Sequence, residues 1–265
     1  MPRMGAENPV AFAAGAWHSR RVRKNYFDEP VAAHYDDPSD SMFDPAVVEV
    51  TVDFLAGLAG TGGALEFGIG TGRVALPLAR RGVEVHGIDL SEAMVARLHA
   101  KPGGDAIGVT VGDFATAAVS RTFQLAYLVY NTIENLTAQD DQVDCFRNAA
   151  GHLSPGGCFV IEVGVPQLQR LPPGETVRPF SVTSRHLGFD EYDIARQGLI
   201  SHHYTFSGDG GVRVNSAPFR YVWPAELDLM ARIAGLRLRE RWADWNRDRF
   251  TSDSTKHVSV WEKPA

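Results

Sequence analysis

Residues Ala64 to Gly82, ALEFGIGTGRVALPLARRG, decide how this chain is read. An apolar run through Leu65, Glu66 and Phe67 leads into Gly68, Gly70 and Gly72, which alternate with small or apolar residues before an Ala/Leu-rich pattern begins. That order is strand, glycine loop, helix. Glycines at every second position let the backbone turn tightly and let a ligand approach without interference from Cβ atoms. The unpaired N–H groups at the start of the following helix then face something negative or polar. A nucleotide-like ligand is the expected occupant.

The dinucleotide pattern G-x-G-x-x-G needs its third glycine for close packing of helix on strand. Here that position is Arg73, and the third glycine comes one residue early, at Gly72. Two further strand ends narrow the reading. Val83 to Asp89, VEVHGID, ends in an acid, and so does Ile107 to Asp113, IGVTVGD, which Phe114 follows. With Glu66, three strand ends carry a carboxylate, a more specific signal than one glycine loop.

The pattern E-x-G-x-G-x-G, with the downstream acids, resembles the class I S-adenosyl-L-methionine (SAM) dependent methyltransferases, and within them the small-molecule enzymes acting on sugars, amines and natural products. The resemblance covers about Tyr26 to Val165 and the C-terminal helix and hairpin. It implies that Glu66, Gly68, Gly70 and Gly72 surround the methionine moiety of SAM, with Arg73 in the same loop. Asp89 would accept both ribose hydroxyls, since an ionised carboxylate offers two acceptor oxygens. Leu90 and Met94 would pack on the adenine, Asp113 would accept from its exocyclic amine, and the Phe114 backbone would meet a ring nitrogen. Leu128, Tyr130 and Asn131, at the end of the fourth strand, would sit beside the methionine and the methyl group. Tyr26 and Tyr35 belong to a segment that many small-molecule members fold over the cofactor, so both are candidates to line the methyl-transfer site; packing of a short helix on the sheet is the alternative. The departure from the family pattern is Glu66, where aspartate is more common.

With 265 residues and 44% hydrophobic content, the chain can bury one full core. We expect a single domain with an elaboration. No apolar run reaches the roughly 18 residues of a membrane span. In Met1 to Lys24 most basic residues follow the apolar ones, the reverse of a secretory signal, so a cytoplasmic protein is expected. Net charge is −6 with a pI near 5.8, which argues against a surface built to neutralise phosphates. The basic run His18 to Lys24, HSRRVRK, reads as a solvated or disordered arm, and nucleic acid is not an expected partner. Cys145 and Cys158 lie in apolar patterns and read as small buried hydrophobes. No Cys/His spacing suggests zinc, and no metal is expected. The expected partner is a small-molecule methyl acceptor, and the expected assembly a monomer or homodimer.

In chain order, residues 1–43 read as an N-terminal arm and cap segment. Asp44 and Pro45 start a helix, and Ser91 caps another that carries Met94, Val95 and Leu98. Phe123 to Tyr130 is a nearly continuous apolar run of the kind found in parallel strands covered on both faces. Gln139 to Leu153 reads as a helix, Pro155-Gly156-Gly157 as a turn, and Cys158 to Val165 as the fifth strand. Residues 44–165 thus predict a doubly wound, Rossmann-like α/β core with ligand at the carboxyl ends of its strands. From Pro166 to Trp223 the pattern turns β-rich, most clearly at Leu199 to Ser207 and Val212 to Tyr221, and reads as an inserted lid over the acceptor. Residues 224–265 supply a last helix and two strands. By resemblance these strands form an antiparallel hairpin that completes a seven-stranded sheet.

Methyl transfer needs a general base only where the acceptor must lose a proton. The candidates are Glu134, after the fourth strand, His202 and His203 in the inserted block, and Tyr35. On a strand, Ile200, His202, Tyr204 and Phe206 share one face, while His203 points the other way with Ser201 and Thr205. A histidine in that position is also an ordinary core residue. Arg220 reads either as a ligand for a substrate carboxylate or phosphate, or as a solvated strand residue. The expected function is SAM-dependent methyl transfer to an N or O atom of a small polar metabolite. The alternatives are a nicotinamide-dependent oxidoreductase, disfavoured by Arg73, the third strand-end acid and the lack of a Tyr-x-x-x-Lys pair, and a non-catalytic protein that binds SAM or its demethylated product (SAH).

Overall fold

A short helix, α1 (Glu29–Ala32), opens the fold, and Asp28 caps it by accepting from the Val31 N–H. The computed structural model describes residues 24–36, 41–208 and 210–265, so most of the basic run at 18–24 lies outside the described residues. The first long helix, α2 (Pro45–Ala59), begins where the sequence places a cap: the Asp44 carboxylate accepts from the Ala46 N–H at 2.9 Å, and Pro45 fixes the first helical position.

Strand β1 (Ala64–Phe67) is buried along its whole length, and the glycine loop leads from it into the short α3 (Ala75–Arg80). Strand β2 (Val85–Asp89) leads to α4 (Glu92–His99), where the Ser91 hydroxyl accepts from the Met94 N–H at 3.2 Å. Strands β3 (Gly108–Val111) and β4 (Phe123–Leu128) follow, then α5 (Gln139–His152) and β5 (Leu153–Gly164). Pro155-Gly156-Gly157 does not separate helix from strand. It lies inside β5, at a break in the register with β4, so the glycines absorb a bulge where the sequence suggested a turn.

Four antiparallel strands come next: β6 (Val177–Val182), β7 (His186–Asp193), β8 (Gly198–Phe206) and β9 (Val212–Arg220). Helix α6 (Pro224–Ile233) and strands β10 (Arg237–Trp242) and β11 (Lys256–Glu262) end the chain. The main sheet has seven strands in the order β10-β11-β5-β4-β1-β2-β3. The strands from β3 to β5 run parallel, while β11 is antiparallel to β5 and β10 to β11. The strand order reverses between β1 and β4, which is where doubly wound sheets open a ligand crevice.

Alternation along the strands covers both faces. Leu65 and Phe67 join Phe146 of α5 and Met230 of α6 in one cluster, with Phe159 and Trp261. Ala64, Tyr127 and Val160 join Leu55 of α2, Leu78 of α3 and Leu98 of α4 in the other. Cys145 and Cys158 are buried free thiols. Among the described residues, no helix is long and apolar enough to cross a membrane.

Arg220 takes neither of the two roles the sequence suggested. It is buried, with an ion pair to Glu226 at 2.6 Å and further hydrogen bonds donated to Gln142 and Gln197. Gln142 in turn donates to the carbonyls of Ile133 and Arg220 at 3.2 and 3.1 Å. This network pins the end of the four-stranded sheet to α5, α6 and the turn after β4.

Candidate active site

A cleft with about 730 Å³ of space between its walls, the open solvent at its mouth included, lies at the carboxyl ends of β1 and β2. Its floor includes Gly68, Gly70, Asp89, Leu90 and Met94, and Asp113 and Phe114 wall it beyond β3. Residues Lys24 to Phe27, together with Tyr35, close it from the other side. That N-terminal strap is held down at both ends. The Ser91 hydroxyl donates to the Phe27 carbonyl and Arg97 pairs with Glu29, while the Asp36 carboxylate accepts from Thr71 Oγ1 at 2.6 Å and from Lys101 at 2.7 Å.

The pocket suits a nucleoside with a charged tail. At Gly70, φ is +55° and a Cβ would stand 3.3 Å from Met94 Cε, filling the cleft floor. The Asp89 carboxylate is fixed by N–H donors from Gly70 at 2.7 Å and Ser91 at 2.8 Å, one on each oxygen, which leaves further lone pairs for ligand hydroxyls. Burial pushes this carboxyl up from its usual range, and the Ser91 and Gly70 N–H groups oppose that shift. Asp113 Oδ1 accepts from Ala115 N–H at 2.9 Å. The residues present therefore fit SAM: a floor open to close approach, a preset carboxylate at the end of β2, and a second acid beyond β3.

Other residues named from the sequence stand back from the cleft. Glu66 is only 3% exposed and accepts from Tyr127 Oη at 2.8 Å. Burial pushes its carboxyl up to about 8, against the Tyr127 hydrogen bond and the Arg73 guanidinium. Gly72 has a packing reason: a Cβ there would lie 2.2 Å from Leu98 Cδ1, so this glycine lets the loop press on α4. Arg73 donates to the Met42 carbonyl at 3.1 Å, with its guanidinium 5.5 Å from the centre of the Tyr130 ring. Leu128 is fully buried, and Tyr130 and Asn131 have φ of 55° and 63°. The Tyr130 N–H donates to Glu162 and Asn131 Oδ1 accepts from the Gly164 N–H, so the two tie the end of β4 to β5.

The candidate bases are dispersed. Tyr35 lines the cleft, edge-on to Phe27 and Phe43, and burial pushes its phenol up to about 12, against the nearby Arg73. His202 stacks on Phe189 at 4.8 Å, pairs through Nδ1 with Ser216 Oγ at 2.8 Å and points Nε2 toward Glu191 at 3.5 Å. His203, on the opposite face of β8, pairs with His186 at 3.1 Å, and burial pushes its imidazole down. Neither histidine is among the residues lining the cleft. Glu134 lies in the 3₁₀ turn Thr132–Asn135, between two cleft residues, and burial together with the Asp190 carboxylate pushes it up to about 8.

Six lining residues carried no individual signal in the sequence: Lys24, Asn25, Phe27, Thr132, Asn135 and Pro218. Thr132 and Asn135 were within reach, because the loop leaving the fourth strand points at the crevice. Pro218 was not, because only the folded insertion brings β9 there.

Residues 64–157 match the methyltransferase domain family. The chain is 38% identical to the CcbJ methyltransferase from Streptomyces caelestis, whose structure it matches with a TM-score of 0.83 over 92% of this chain and 100% of that one. The chain is a SAM-dependent methyltransferase. A curated relative, the cypemycin N-terminal methyltransferase of a Streptomyces species, is 29% identical over 209 residues, 75% of this methyltransferase and 82% of the relative. SAM-bound CalS10, an amino pentose methyltransferase from Micromonospora echinaspora, shares the fold at 17% identity, with a TM-score of 0.66 over 93% of this chain and 100% of that one. SAM is the cofactor of the methyltransferase, in agreement with the family match and the residues of the cleft. The nicotinamide oxidoreductase and non-catalytic readings are set aside.

Proposed function

We propose that the methyltransferase transfers the methyl group of SAM to an amino nitrogen of a small natural-product metabolite. The observation that carries this reading is the make-up of the cleft lining apart from the residues expected to hold SAM: Asn25, Tyr26, Tyr35, Thr132 and Asn135. These amide and hydroxyl groups can orient a nitrogen nucleophile. They are poor bases for an alcohol, since the Tyr35 phenol is held near 12 and stays protonated at neutral pH. An amine needs no such base once its ammonium proton is gone. The curated relative is named for an N-terminal amine acceptor, which agrees with nitrogen as the target.

In this reading Asp89 holds the ribose, Asp113 and Phe114 hold the adenine, and Gly68 and Gly70 let the methionine end lie against the backbone. Glu66 acts from behind the loop. Bound SAM supplies an electrophilic methyl group on a sulfonium. The chain's own contribution is enclosure: the strap over the cleft and β9 at its side exclude water and restrict the approach of the acceptor, and alignment of this kind supplies much of the rate in displacement reactions. The small, strap-covered cleft favours a small-molecule acceptor over nucleic acid.

The test is tritiated-methyl transfer from SAM to a pool of small amines, comprising amino sugars, amino-acid amides and short peptides with free N-termini, run beside the same pool N-acetylated. Label should enter the free amines only. Equal labelling of the acetylated pool would contradict the reading.

A further inference from the structure

Among the described residues, nothing bonds to the carboxyl of Glu134, an acid largely enclosed by the fold. The turn that carries it packs beneath β9 at the end of β4, with Ile133 fully buried beside it and Thr132 and Asn135 in the cleft wall. Glu134 is enclosed by protein yet keeps part of its surface accessible. Among the described residues its carboxyl accepts no hydrogen bond and pairs with no cation. The charged group that bears on it is another acid, Asp190. A carboxyl in such a place is unfavourable if ionised alone, as polar groups buried without partners are.

Asp190 belongs to β7 and stands opposite Ser201 of β8, whose hydroxyl donates to its carboxylate. The next rung of the same sheet is Glu191, Ile200 and Pro218, and Pro218 lines the cleft. Asp190 is therefore one residue along and two strands across from the cleft wall, about 10 Å at the usual strand spacing. Burial pushes the Asp190 carboxyl up from its ordinary value, while the Ser201 hydroxyl, Arg178 and His202 oppose that shift and favour its charged form, and Tyr192 stands near Asp190, Arg178 and Glu134. Asp190 thus has cations of its own. Glu134 has none among the described residues, and it sits between the cleft residues Thr132 and Asn135 without itself being one of the lining residues.

We propose that Glu134, backed by Asp190, binds the ammonium group of the acceptor and takes its proton, which makes the acceptor of this enzyme a cationic amine. This rests on the amine reading above and deepens it. In the step, one N–H bond of the ammonium breaks, the proton passes to a Glu134 oxygen, and the electron pair stays on nitrogen as the nucleophile. The proton later leaves to solvent, restoring the carboxylate. A carboxyl pushed up to about 8 by burial and by the Asp190 charge is close in acidity to an alkylammonium, so the exchange runs near neutral pH with little cost in either direction. Glu134 is then a catalytic residue, and Asp190 a positioning residue that works through it.

The test uses Glu134→Gln, Glu134→Asp and Asp190→Asn in the full chain. Glu134→Gln should lower kcat/KM for the amine pool about 100-fold, the usual size for a lost general base. The loss should shrink as pH rises and free amine replaces ammonium in solution, and Glu134→Asp should recover part of it. Asp190→Asn should give a smaller loss with the same pH trend. SAH affinity, measured by calorimetry, should stay unchanged in all three. A readout independent of turnover is the infrared carbonyl absorption of protonated acids in the SAH complex: Glu134→Gln should lose one component of it and keep the one from Glu66, and ethylammonium should remove that same component from the wild type. Wild-type amine turnover in Glu134→Gln, a loss equal at every pH, or a band that ignores ethylammonium would overturn the proposal. Wild-type enzyme that labels hydroxyl compounds and no amine would instead overturn the amine reading, and this proposal with it.

Discussion

Glu66→Gln tests whether the acid at the start of the glycine loop is held protonated by the fold. Glu66 is buried, it accepts a hydrogen bond from the Tyr127 hydroxyl, and burial pushes its carboxyl to about 8 against 4.5 when unperturbed. A folded-state value above the unfolded one means that the native protein holds a proton that the unfolded chain releases between those two values. The contribution of Glu66 to stability is therefore fully present below about 4.5, falls as pH rises, and levels off above about 8. The gap of about 3.5 units, at 1.36 kcal/mol each, caps the change at about 5 kcal/mol. The assay is urea unfolding of wild type and Glu66→Gln without ligand between pH 5 and pH 9, comparing midpoints at constant m-value. Glutamine cannot ionise, so the variant should gain on the wild type steadily as pH rises. Taking the difference between the two proteins cancels other groups of the same sign, Glu134 among them. A difference that stays flat across that range would refute the reasoning.

Asp89→Ala should weaken SAH binding by about 1.5 to 3 kcal/mol, the range for charge-assisted hydrogen bonds, as read by calorimetry. Unaltered affinity would remove Asp89 from the ribose site. Arg220→Ala leaves Glu226 half-buried without its cation, so urea unfolding should show a loss of about 3 kcal/mol, and a loss under about 0.5, the surface-residue level, would show that the pair does not anchor the inserted sheet. Asp36→Asn removes the ion pair to Lys101 and weakens the hydrogen bond from Thr71, so SAH should dissociate several-fold faster in stopped-flow displacement. An unchanged off-rate would mean that the strap does not gate the cleft.

The cleft residues that follow β2 and β3 were legible because they stand at or just past strand ends, where one short stretch fixes both the element and the direction of the chain leaving it. Asp89 and Asp113 are of this kind. Gly72 shows the limit: a glycine spared for a ligand and a glycine spared for packing look alike in sequence, and Leu98, the residue that decides between them, comes 26 positions later. Glu66 was legible as a strand-end acid, but not as a neutral one, because Tyr127 meets it only when β4 pairs with β1. Within the inserted block, β8 and β9 showed their alternation, while Pro179 and the irregular register at Ser181 hid β6. The acceptor side was least legible. Pro218 reaches the cleft, and Asp190 comes near Glu134, through a sheet whose placement depends on the buried Arg220 network, and no local pattern encodes that.

The amine reading is tested most directly by the nature of the bond that is made. The enzyme is supplied with SAM labelled with carbon-13 in its methyl group and with the pooled amines, and the product methyl carbon is read by nuclear magnetic resonance. The account predicts that the label appears at the chemical shift of a methyl on nitrogen and follows the protonation of that nitrogen as the pH is changed. A label at the shift of a methyl on oxygen, insensitive to pH, would contradict it.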